Sequence, residues 1–282
     1  PSRRSLIHDF MDGKPIANGV ALDSIGISLA TMIGPALAGV LMSIYGSISS
    51  LALICIFYII SIFSINLIPT TTQSNQNSKH QLLKIQYKEI FNLLKTYPII
   101  IPTIFLTIVM NLLMFPYTFI LPVIAKNTLG LEHDLMGILQ ATPGIGAMIG
   151  TILICSFTKL PDHYKIYSNG CLIAFLGVLC FAISTNFITS SFILILVGLG
   201  TAGFASMQST IILTNTPYNK RGLALGLITI AIGTGPFGAL FIGQIAEIFN
   251  PQNALILNSL LGLTLTILSI ISLKIKKITP SN

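Results

Sequence analysis

The sequence predicts an all-α polytopic membrane protein with eight transmembrane helices. Three observations predict it. Charged residues make up only 8% of the 282, where a soluble domain carries about 25%, while 53% are apolar and the mean hydropathy is +0.86. The apolar residues gather into stretches of the roughly 17–25 residues that a helix needs to cross a bilayer. Finally, the basic residues sort to one side when these stretches are threaded in turn through a membrane. A soluble enzyme, a disordered chain and a secreted disulfide scaffold are all excluded on composition. The net charge of +7 is scattered thinly between apolar runs, so no nucleic-acid partner is expected; the lipid bilayer is.

The chain opens at Pro1 in a charged, loop-like stretch, PSRRSLIHDFMDGKP, which reads as the interior of a longer protein. The first span covers about 19–45 and holds one charge, Asp23. The second, about 47–68, holds none; nor do the third, about 98–125, and the fourth, about 135–158. Residues 166–219 are too long for one crossing. Ser184-Thr185-Asn186 and Thr189-Ser190-Ser191 divide them into spans of about 166–186 and 189–215. The last two spans are about 222–248 and 252–273. Each is too long and too continuous for a membrane β-strand.

With eight spans, connections alternate between two sides. One side takes residues 1–18, 69–97, 159–165, 216–221 and the tail, with 14 of the 15 Lys and Arg; the other takes Lys126 alone. A missed or invented span would scramble that split. The positive-inside rule then places both ends of the chain and the 69–97 loop in the cytoplasm; the plasma (inner) membrane is the expected location. Within the longest connection, 70–81 is a polar linker and 82–96 a short basic amphipathic helix. Leu83, Tyr87, Ile90, Phe91 and Leu94 form its apolar face, and Lys84, Lys88, Asn92 and Lys95 the other. Such a helix rests on the lipid surface or docks a partner.

Three segments follow: 1–68 with two spans, 69–97 as a central cytoplasmic loop, and 98–282 with six spans. A repeat relates the first span to the seventh. Gly34-Pro35-Ala36-Leu37-Ala38 is matched by Gly235-Pro236-Phe237-Gly238-Ala239, and Gly19-Val20-Ala21-Leu22 by Gly222-Leu223-Ala224-Leu225. The matched spans lie six apart, which suits two six-helix halves in parallel repeat, with spans five to twelve present.

These residues resemble the major facilitator superfamily. The eight spans look like helices 5–12 of its 6+6 fold, with the first four helices of the same fold absent as a partner block. The first span resembles the antiporter motif of helix 5 through Ala21, Ala30, Gly34-Pro35 and Ala38-Gly39, with alanine for glycine at three places. The phrase NGVALDSIGISLATMIGPALAGVL is similar to the enterobactin-exporter-like, transmembrane secretion effector branch, where Asn is more usual at the place of Asp23. Pro217-Tyr218-Asn219-Lys220-Arg221-Gly222 resembles the loop into helix 11, while Lys159–Lys165 lacks the Gly-Asp-Arg signature of the loop after helix 8. The resemblance implies that helix 5 crosses helix 8 between the halves and that helices 5, 7, 8, 10 and 11 line a central cavity.

Beside the resemblance stands a physical reading. Ala30, Gly34 and Ala38 recur every four residues, as do Ala231, Gly235, Ala239 and Gly243. Gly146–Gly150 and Gly198–Ala202–Ser206 do likewise. In lipid, where apolar side chains gain nothing by leaving the solvent, small stripes let helix backbones approach. They serve packing alone, or packing that also permits rocking. Pro35 and Pro236 remove helix hydrogen bonds and can kink their spans.

Asp23 is the one clean charge inside a span, a candidate for proton or substrate coupling or, alternatively, a group at the interface near a helix N-terminus. Glu247 lies near a span end, and Asp134 is expected to cap the fourth span. Asn111 (sharing a face with Thr107 and Thr118), Gln140, Gln208 and Thr234 are candidates for the substrate cavity, or for polar contacts between helices. Met114, Tyr117 and Phe119 offer a soft apolar wall. Cys55, Cys155, Cys171 and Cys180 form no metal-ligand or disulfide pattern and read as packing residues.

No GxxxxGK[ST], HExxH or GxSxG is present, so no catalytic role, metal or cofactor is expected. The function expected is a secondary transporter that exports a small organic molecule by alternating access, with proton antiport implied by the motif. The alternatives are a channel, a membrane subunit of a larger complex, or an inactive fragment.

Overall fold

The computed structural model describes residues 16–66, 87–156 and 162–278, in which every regular element is a helix. The long polar linker at 70–81 and the side chain of Asp23 fall outside the described residues. Among the described residues, seven helical stretches are long and apolar enough to cross a membrane. The described part of the predicted first span, Leu29–Tyr45, is a shorter apolar helix.

That first span is helix α1, Ile16–Tyr45, unbroken through Pro35, so the predicted kink there does not interrupt it. Gly46 turns the chain into α2, Ser47–Asn66, at φ +78, a conformation that a side chain would strain. Helix α3 is Tyr87–Thr96. The predicted apolar face is corrected here. Phe91 is 67% exposed, whereas Leu93 is fully buried against Ile100, Ile212, Ala224 and Ile228. The face therefore runs Ile90, Leu93, Leu94, Tyr97 and docks on protein at its far end.

The third span is broken. Helix α4, Ile100–Val109, passes through a π-turn at Met110–Met114 into α5, Tyr117–Asn127. Pro116 is the cause: it has no N–H to continue the ladder, and Phe115 N–H reaches back five residues to the Met110 carbonyl at 3.0 Å. Asn258, from the last helix, donates its Nδ2 to the Leu113 carbonyl within this interruption at 3.4 Å.

Helix α6 is His133–Ser156, with Asp134 in its first turn rather than at the cap. A carboxylate there still suits the positive helix end. Helix α7, His163–Ala182, is capped by Asp162, and α8, Phe187–Asn215, by Asn186, whose Oδ1 accepts from Ile188 N–H at 2.8 Å. The polar break between them thus ends one helix and starts the next, and Ser184 bonds both Thr189 and Ser190 across it.

The seventh span is also two helices, α9, Tyr218–Ile232, and α10, Gly235–Phe249. Pro236 sits in the first turn of α10 and so starts a helix instead of kinking one. The last span is α11, Pro251–Ile278.

Close approach of backbones holds spans four to six together. Gly146 lies against the Ile195 carbonyl and Gly198 against that of Pro143, bringing the predicted stripes of α6 and α8 face to face. A Cβ on Gly200 would lie 2.6 Å from Ala174 N, so α7 and α8 are equally close. Around this seam the buried core gathers Met110, Met114, Leu121, Tyr167, Phe175 and Phe181.

Candidate functional site

Helices α1 and α6 meet as the resemblance implies for helices 5 and 8, but through other residues than the predicted stripe. A Cβ on Gly39 would stand 2.8 Å from the Gly137 Cα, and one on Gly144 would stand 2.9 Å from the Met32 Cα. Pro35 lies at the same seam, its carbonyl 2.5 Å from where a Gly137 Cβ would be. Ala30 and Gly34 are exposed, and nothing lies within 4 Å of a Cβ on Gly34. Ala38 accepts a hydrogen bond from Ser50 through its carbonyl. The contacting face is the Met32–Pro35–Gly39 edge beside the predicted stripe.

The seventh span shows the same displacement. Gly235 and Gly243 face open space, while Gly238 is pressed against the Leu112 carbonyl and the Pro116 ring. Between this span and the third lies a groove of about 820 Å³. Its walls are Asn111, Phe115, Pro116, Thr118 and Phe119 on one side and Gly235, Pro236, Ala239 and Leu240 on the other. It sits where both spans are broken, near their middles. Two of the five predicted cavity residues, Asn111 and Thr118, share it with Gly235 and Pro236.

Behind Asn111 a hydrogen-bonded cluster ties three spans. Asn111 Nδ2 donates to the Thr107 carbonyl at 2.8 Å. Thr107 Oγ1 donates to the Thr103 carbonyl at 2.8 Å and lies 2.9 Å from Tyr167 Oη. Gln208 Nε2 donates to Thr107 Oγ1 at 3.0 Å. Thr103, Thr107 and Tyr167 are fully buried, and Tyr167 stacks on Phe204 with centroids 5.4 Å apart. Gln208 therefore supports the groove from behind rather than lining it.

The remaining predictions disperse. Thr234 returns its hydroxyl to the Ala231 carbonyl one residue before the groove wall, and Gln140 is half-buried on α6 away from it. Met114 and Tyr117 are buried packing, leaving Phe119 alone of the predicted apolar wall in the groove. Glu247 is exposed. Tyr167 and Asn258 were missed. Both are polar groups in the middle of apolar runs, the signal that membrane burial demands a partner for them. A smaller cleft of about 330 Å³, between Pro98–Phe105 and Leu268–Leu273, offers only hydroxyls already bonded: Ser269 to Tyr164 and Ser272 to the Ser269 carbonyl.

The profile of the transmembrane secretion effectors matches residues 1–282, the whole chain. The chain belongs to the transmembrane secretion effector family. This family is part of the major facilitator superfamily, whose members are transporters and not enzymes. The secretion-effector chain is 26% identical over 259 residues to the staphyloferrin A transporter of Staphylococcus aureus, covering 88% of itself and 62% of that relative. It thus spans under two thirds of that relative's length. Two solved structures share the fold at 15% identity. Both are of a bacterial homolog to the human lysosomal transporter Spinster, inward-facing. The unoccupied form gives a TM-score of 0.50 over 92% of this chain and 69% of that one; the occupied form gives 0.51 over 97% and 70%.

Proposed function

We propose that this secretion-effector protein is a secondary active exporter of a small organic molecule, moving it by alternating access. The groove between the third and seventh spans carries the reading. It is uncharged, large enough for a small organic ligand, and placed where both spans are interrupted. Interrupted helices beside a midplane cavity are how transporters expose backbone and polar groups to a substrate without exposing them to lipid. The staphyloferrin A transporter among its relatives supports a transported molecule as the occupant.

In this reading the protein lies in the plasma membrane. Residues 1–68 belong to one half, 69–97 form the central cytoplasmic loop, and 98–282 form the other half. Asp23 couples transport to a proton. The Met32–Pro35–Gly39 edge is the contact about which the halves rock.

The test is efflux of a compound panel from cells expressing the protein, with and without a protonophore. Uphill efflux that collapses with the proton gradient, and that Asp23→Asn uncouples, is the expected result. Efflux that persists without any ion gradient would overturn the proposal. For orientation, Asn92→Cys in a chain with its four cysteines changed to alanine should react with impermeant maleimide only from the cytoplasmic side. Labelling from outside would reverse the topology.

A further inference from the structure

We infer that the groove selects molecules presenting hydrogen-bond donors (a hydroxyl, amine or ammonium beside an apolar body) and discriminates against carboxylates. This deepens the transport reading and rests on it for the identity of the site. The argument is one of hydrogen-bond direction.

Among the described residues that line the groove, the polar side chains are Asn111 and Thr118. The amide of Asn111 is fixed in orientation by its neighbour. The group 2.8 Å from the Thr107 carbonyl must be the NH2, because a carbonyl cannot donate. The other atom, Oδ1, is then an acceptor. No described residue donates to it, and it is not sealed in the interior as the unpaired Asn258 Oδ1 is. With 9% of the residue exposed, that exposure opens to the groove it lines.

Thr118 makes the same statement. Its single hydroxyl proton goes to the Phe115 carbonyl at 2.9 Å, so its free lone pairs are what the groove meets. At the nearby start of α10, Pro236 has no N–H and those of Phe237 and Gly238 go to the Thr234 carbonyl, which leaves the Gly235 N–H as a single backbone donor on that wall against the two side-chain acceptors. Phe115 and Phe119 supply aromatic faces, which attract an ammonium and tolerate an apolar body. A carboxylate would set its oxygens against both side-chain acceptors, with no cationic side chain among the described lining residues to pair with it.

Three naphthalene probes that share one ring system test this: 2-naphthylethanol, 2-naphthylethylammonium and 2-naphthylacetate. The chain contains no Trp, so naphthalene emission can be followed without indole fluorescence. Equilibrium binding to the intact protein in nanodiscs, less binding to empty nanodiscs, should be at least tenfold tighter for the alcohol and the ammonium than for the acetate. Asn111→Leu should remove most of that selectivity. Thr118→Val, at an exposed position, should weaken the two donor probes severalfold and leave the acetate unchanged. Equal or tighter acetate binding, selectivity intact in both variants, or no saturable binding of any probe would overturn the inference. Binding needs no transport, so a protein that keeps the selectivity but moves no solute in energised vesicles would count against the exporter reading alone.

Discussion

The contact between α6 and α8 and the contact between α10 and the third span are both rich in small residues, yet one is sealed and the other opens into a groove. At the first, each glycine meets backbone: Gly146 the Ile195 carbonyl, Gly198 that of Pro143. At the second, only Gly238 is filled, while Gly235 and Gly243, one turn to either side, meet nothing. A stripe of small residues is therefore permission for approach. Whether a helix takes it up depends on what stands opposite.

Substitutions separate the two contacts most sharply. Gly198→Leu should abolish folded protein, because overpacking costs about 1–3 kcal/mol even where side chains can yield, and here the obstacle is backbone. Gly235→Leu should give a normal monodisperse peak in size-exclusion chromatography. If both fold, the sealed contact is looser than described. At the α1–α6 seam, Gly39→Leu should cut transport at least tenfold, and Gly34→Leu should leave it within about twofold as measured by initial efflux rates. The reverse order would restore the Ala30–Gly34–Ala38 stripe as the working face.

Smaller effects sharpen the polar side of the comparison. Tyr167→Phe removes one hydroxyl from the cluster behind Asn111 and should lower stability by about 1 kcal/mol, read as a drop in Tm in detergent. An unchanged Tm would mean the cluster is held by Gln208 and packing alone. At the start of α9, Lys220→Met removes an ammonium 6.0 Å from the Tyr97 ring centroid. About 0.5 kcal/mol is expected there, detectable as faster proteolysis near α3.

The spans were readable because lipid imposes a single rule on every residue within it. The breaks were harder. Nothing in the apolar pattern of 98–125 marks Met110–Met114 as a π-turn; Pro116 gives the cause only once the missing N–H is traced through the ladder. Gly-Pro at 235–236 reads as a kink, yet the helix has already stopped at Gly233 and Thr234, and the proline begins the next one. Asn111 and Thr118 were placed together because they share a face. Gln208 takes the other role open to it, a polar contact between helices, since composition cannot say whether a polar side chain faces a cavity or a neighbouring hydroxyl. The α3 face went wrong by one residue at Leu93, because its covering surface comes from α8 and α9, far along the chain.

The interruptions of the third and seventh spans adjoin one another, with Gly238 seated on the Leu112 carbonyl. Bending an intact helix must stretch ladder bonds, but at Pro116 the bond is already gone, and at Gly233 the ladder has ended. Two neighbouring spans are thus interrupted at one level and packed against each other there. A change of angle at that level breaks the fewest ladder bonds in either, so the groove they border is where the pair is easiest to bend.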